Sequence, residues 1–144
     1  MKGLNYSWKR AWWALRISVG LGSTIAGIDK FFNRLADWGM YLSPVATRLI
    51  PVGTTTFMHL VGVVEIAAGL LVFSKWTKAG GYFVTIWLLG IAANLASTGM
   101  FFDLAARDLE IAVAAFALSQ LTPGTLKLGY RQTSAGPASS GSVA

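Results

Sequence analysis

Apolar residues gather into four stretches along this chain, at about 12–31, 56–73, 80–97 and 102–121, each broken by only a few polar or charged positions. Each approaches the roughly 20 residues that a helix needs to cross about 30 Å of hydrocarbon. A helix satisfies its own backbone hydrogen bonds, so all four are predicted to be membrane-spanning helices despite abundant Gly, Val and Ile. The interruptions carry the chemistry: Arg16, Glu65, Asn94 and the Asp103/Arg107/Asp108 group. Lipid offers ionised groups no solvation, so these side chains are expected to face one another, a cavity or a partner.

The turns at 74–79 and 98–101 are short, which makes the last three helices antiparallel neighbours. The connection at 33–55 is longer and places Trp38, Tyr41, Leu42, Val45 and Leu49 at helical spacing before Pro51 and Gly53. It reads as an amphipathic segment at the outer interface between the first two spans, or else as an irregular surface loop.

Positive residues set the orientation, because Lys and Arg concentrate on the cytoplasmic side. Lys2, Lys9 and Arg10 precede the first span, Lys75 and Lys78 lie between the second and third, and Lys127 and Arg131 follow the fourth. With four crossings all three sites share one side, so both ends are predicted cytoplasmic. The basic segment 1–10 resembles a secretory signal, but the apolar stretch after it is too long for one and is read as a retained span. Beyond Tyr130 the chain turns to Ser, Gly, Ala, Thr and Pro. The tail 123–144 is therefore expected to be extended and ordered only by a partner.

Composition narrows the class. Of 144 residues 54% are hydrophobic and 12% charged, which places the chain among membrane proteins. The net charge of +6 is spread beside the ends of the apolar stretches rather than gathered in a patch, so no nucleic-acid partner is expected. With no cysteine and one histidine, the chain by itself holds no disulfide, no Cys-ligated cluster, no bis-histidine haem and no multi-histidine metal site.

On the first helix Arg16, Gly20, Ser23, Gly27 and Lys30 share a face, and the second repeats the pattern with Gly62, Glu65 and Gly69. Small residues let helix backbones approach closely, so these two seams are natural partners. Glu65 lies near mid-membrane, with Arg16 and Lys30 each offset from it by roughly 10 Å along the axis. Spacing does not choose between them. The carboxylate reads either as a proton-handling or quinone-facing group or as an internal ion pair that anchors the bundle. Asn94 aligns with Gly90 and Ser97 and suits interhelical hydrogen bonding. Asp103, Arg107, Asp108 and Glu110 open the fourth helix with Asp103–Arg107 at i,i+4 and Arg107–Glu110 at i,i+3, a charge network suited to a helix start or to guarding an outer opening. His59 is a candidate pigment or quinone contact, or simply an interfacial hydrogen-bonding group. Trp8, Trp12, Trp13, Trp38 and Trp76 lie near span ends as anchors. Trp87, inside the third span, is likewise a candidate pigment or quinone contact, or else faces lipid or a partner helix.

These residues together resemble the DoxX/DoxD-like family of small four-helix bacterial membrane proteins. The likeness rests on Arg16 with Gly20, the Gly27-Ile28-Asp29-Lys30-Phe31 run, Glu65 with Gly69-Leu70-Leu71, and Phe102-Asp103-Leu104 through Arg107-Asp108-Leu109. It covers most of 11–122. The resemblance implies an all-α, four-helix bundle in the bacterial cytoplasmic membrane and a membrane-redox context, since relatives include a subunit of thiosulfate:quinone oxidoreductase. It supplies no catalytic residue.

Two functions follow. One is a non-catalytic accessory subunit at the edge of a larger respiratory or photosynthetic electron-transfer complex, with other membrane subunits and lipids as partners and any quinone, pigment or lipid held at a shared interface. The other is a quinone-linked oxidoreductase subunit in which Glu65, helped by Arg16 or Lys30, manages the proton of a reduced quinone. A transporter ranks behind both, because no pair of broken helices is evident from which to build alternating access.

Overall fold

The computed structural model describes residues 2–49 and 51–123, and there the chain is all helical. Four long helices run Lys2–Asp29 (α1), Thr54–Phe73 (α3), Thr77–Ser97 (α4) and Phe102–Leu121 (α5), and a short one, Pro44–Leu49 (α2), follows a 3₁₀ turn at Trp38–Tyr41. The last three long helices lie within three residues of the predicted spans. The first begins ten residues earlier than predicted. Nothing between Lys2 and Trp12 breaks a helix, so the turns persist through the basic segment expected to precede it. The tail at 123–144 falls, apart from Pro123, outside the described residues.

By length and composition α3 and α4 are long and apolar enough to cross a membrane. The other two fall short of the four-span expectation. Asp103, Arg107, Asp108 and Glu110 crowd the first half of α5, and Arg16 with several Trp, Ser and Thr dilutes α1.

α1 packs chiefly on α3, and α4 on α5, with lighter contacts closing the ring through α3–α4 and α1–α5. Neighbours run antiparallel. Near one end of the bundle Trp12 Nε1 donates to Thr122 Oγ1 at 2.8 Å, so the early part of α1 and the end of α5 share that end. The glycine seams meet as their spacing predicts. A Cβ on Gly27 would lie 2.6 Å from the Gly62 carbonyl oxygen, and one on Gly62 the same distance from that of Gly27. On the opposite pair, a Cβ on Gly81 would meet the Ala115 carbonyl oxygen at 2.9 Å.

Val19, Ala68, Val72, Val84, Ala115 and Leu118 form a core toward the Trp12–Thr122 end. A second cluster of Ala92, Leu95 and Ala105 sits toward the other, with Tyr41 and Phe101 against it. The α4–α5 turn needs a left-handed residue, and Gly99 takes it at φ 73°.

The predicted amphipathic connection is not continuous. Ser43 and Pro44 divide it: Ser43 Oγ accepts from Ala46 N at 3.1 Å, while proline suits a first helical position and cannot extend the preceding turn. Trp38, Tyr41 and Leu42 turn inward over the bundle end, and Tyr41 meets Phe101 edge-on at 4.9 Å. Met40, Val45 and Leu49 point outward.

Candidate functional site

The two cores are separated by a cavity of about 1030 Å³ walled by α1, α3, α4, α5 and the 3₁₀ turn. Lys30 Nζ lies 2.6 Å from Glu65 Oε2 inside it, with both side chains at least nine-tenths buried. Of the two basic candidates for Glu65, Lys30 is the partner. The close α1–α3 approach at Gly27 and Gly62 carries the lysine stem across the axial offset. Trp38 roofs the pair, its ring centroid 3.7 Å from the ammonium.

Arg16 does something else. Its Nε donates to Val72 O at 3.1 Å, and its Nη2 to Phe73 O at 2.5 Å and Ser74 O at 2.9 Å. The guanidinium thus satisfies carbonyls that the end of α3 leaves open, where a positive charge also matches the helix dipole. The rings of Trp12 and Trp13 lie 4.9 and 5.3 Å from it.

Asn94 lines the cavity and ties the 3₁₀ turn to α4. Its Nδ2 donates to Tyr41 O at 2.8 Å and its Oδ1 accepts from Ser43 N at 3.1 Å. At the start of α5 the expected Asp103–Arg107 pair does not form. Asp103 is exposed, and Arg107 Nη2 instead reaches Asp108 Oδ1 at 3.3 Å. Asp108 is buried and within electrostatic reach of Lys30 and Glu65, whereas the Arg107 side chain is about half exposed at the cavity edge. Lys30, Glu65, Arg107 and Asp108 therefore sum to zero formal charge around one space.

Trp87 also lines this space, stacked on Phe83 at 6.1 Å. Its indole Nε1 is close enough to interact with the Glu65 carboxylate but makes no hydrogen bond of acceptable geometry. Among the described residues it is the buried side-chain polar atom left without a partner. His59 is not brought to the cavity. Its ring stacks on Phe31 at 4.9 Å, elsewhere on the α1–α3 face.

Two contributors escaped the sequence reading. Asp29, which the sequence marks out only as one member of the Gly27-Ile28-Asp29-Lys30-Phe31 run, is buried. Its carboxylate accepts from Arg34 N at 3.0 Å, Leu35 N at 3.0 Å and Trp38 Nε1 at 2.8 Å. This fixes Trp38, expected to be a plain anchor, above Lys30. An acid at a helix C-terminus opposes the dipole, and that anomaly was the available sign that Asp29 has dedicated donors. Among the described residues no group of three or more His, Cys, Asp or Glu side chains is placed to hold a metal ion.

No protein-family model matches this chain, and no curated protein and no solved structure matches it.

Proposed function

We propose that this chain is a DoxX-like, multi-pass protein of the bacterial cytoplasmic membrane, a four-helix bundle with both ends cytoplasmic, and a non-catalytic accessory subunit of a larger membrane electron-transfer complex. The observation that carries this reading is the outer surface. In their most apolar windows α3 and α4 have only 33% and 28% of their residues buried within the protein. Every long helix turns large apolar side chains outward: Ile17 and Leu21 on α1, Leu60 and Leu70 on α3, Ile86 and Leu89 on α4, Val113 and Phe116 on α5. Acyl chains and neighbouring membrane subunits are the surroundings that such faces require.

The accessory role draws support from how the interior polar groups are used. Arg16 caps α3, Asn94 holds the 3₁₀ turn, Asp29 gathers the chain reversal after α1, and Lys30 neutralises Glu65. Each has a structural duty that explains its presence in an apolar bundle. The pairs Lys9/Arg10 and Lys75/Lys78 flank the end marked by the Trp12–Thr122 bond, while the positive charges toward the other end, Lys30, Arg34 and Arg48, are diluted by Asp29 and Asp37, which supports cytoplasmic termini.

The quinone-linked alternative keeps one specific support, Glu65 and a nearby Trp87 N–H without a well-formed hydrogen bond in a common cavity. Gentle purification from native membranes separates the two. Co-purification with a cofactor-bearing complex whose turnover is unchanged by Glu65→Gln supports the accessory role. Quinone reduction by the isolated chain or its smallest heteromer, abolished by that substitution, replaces it with the alternative.

A further inference from the structure

Glycine inside a helix costs about 1 kcal/mol relative to alanine, and most helical glycines here are explained by close packing. Gly27, Gly62, Gly69, Gly80 and Gly81 each lie where an added Cβ would collide with a neighbouring helix. Gly22 on α1 and Gly90 on α4 do not. A Cβ on either would meet nothing within 4 Å, and both line the cavity. The cavity wall also includes Ile25, Ile86 and Ile111, which are exposed on the outer faces of their helices. The space is therefore open sideways, toward the apolar surroundings, as well as lined by charged groups.

We propose that this cavity is a binding site for an uncharged amphiphile, its chain lying along Gly22 and Gly90 and its head presenting a carbonyl-type acceptor to Trp87 Nε1. The proposal rests on the membrane reading above, and not on membership of a redox complex. Three observations on the chain's own residues converge on it. The volume of about 1030 Å³ stands at the upper end of the range for sites of small organic molecules. The four ionisable groups around it are paired internally, Lys30 with Glu65 and Arg107 with Asp108, so a charged head of either sign would have to break a pair to gain one. Among the described residues Trp87 Nε1 is the buried side-chain polar atom without a well-formed hydrogen bond; it lies near the Glu65 carboxylate, and an acceptor on the ligand would give this donor a better-aligned partner. Quinone carbonyls and glyceride ester carbonyls share that chemistry.

The test uses the full chain in a maltoside detergent, which carries no carbonyl, titrated calorimetrically with decylubiquinone and with monoolein. Oleate and oleylamine serve as charged comparators. Saturable binding of one or both neutral probes is expected, and which of them binds identifies the source of the carbonyl. Trp87→Phe, which keeps an aromatic ring and removes the N–H, should weaken binding about tenfold, the equivalent of one hydrogen bond. Gly22→Leu and Gly90→Leu project into open space, so they should retain the helical signal and melting temperature while losing the probe. Equal binding by a charged comparator, unchanged affinity in Trp87→Phe, or no saturable binding of either neutral probe overturns the proposal. Release of the protein from native membranes by alkaline carbonate would instead defeat the membrane reading, whatever the titrations show.

Discussion

Lys30 and Glu65 form a buried ion pair across the α1–α3 seam, Nζ to Oε2 at 2.6 Å, where the helices approach at Gly27 and Gly62. Removing one member of such a pair strands the other charge. Lys30→Met should therefore cost about 3–5 kcal/mol, while Lys30→Met combined with Glu65→Leu should recover most of that loss. Thermal unfolding in detergent reads both. A single variant as stable as the parent would show that the pair is not enclosed.

The glycines divide into two stability classes. Gly27→Ala and Gly62→Ala place a methyl 2.6 Å from a partner carbonyl, so the helices must separate. In the proposed membrane setting, where contact expels no water, close packing is what would hold these helices together, and a loss of about 2 kcal/mol or more is expected. Gly22→Ala and Gly90→Ala meet nothing and should be neutral or stabilising by up to about 1 kcal/mol. Melting temperatures of the four variants, measured side by side, check this: the first two should fall and the last two should hold or rise.

Arg16 should not behave as a partner of Glu65. Arg16→Lys keeps the charge but loses the fork that reaches three consecutive carbonyls, Val72, Phe73 and Ser74. The expected result is faster amide exchange at the end of α3 and a loss of about 1–3 kcal/mol, with the exchange around Glu65 unchanged. Equal protection loss at both places would tie Arg16 to the carboxylate after all.

Topology is open to a clean measurement because the chain has no cysteine of its own. Single cysteines at Lys75 and at Met100 mark opposite ends of the bundle. In intact cells an impermeant maleimide should label the cysteine at Met100 and leave that at Lys75 unlabelled until the membrane is opened. The reverse pattern would invert the proposed orientation.

Much of this was legible in the order of residues alone. Apolar runs near 20 residues, ended by short polar turns, marked three of the four long helices to within three residues, because backbone satisfaction inside a helix is local. The small-residue spacing on α1 and α3 predicted their seam, since 3.6-residue periodicity converts position into face. The first helix ran further back than its apolar stretch, because hydrophobicity reports surroundings and not where helical turns stop.

What the tertiary structure decided was partnership. Axial offset placed Arg16 and Lys30 equally far from Glu65, and only the packing of α1 on α3 carried Lys30 to the carboxylate and Arg16 to the end of the helix. Asp103 and Asp108 looked alike as acids at a helix start, but a difference of five residues turned one outward and the other into the cavity. Trp38 above Lys30, Asp29 holding Trp38, and the empty space beside Gly22 and Gly90 arise among segments far apart in the chain. Helical periodicity is written within one segment, whereas a pocket and its pairings exist only once several segments have met at one particular rotation and depth.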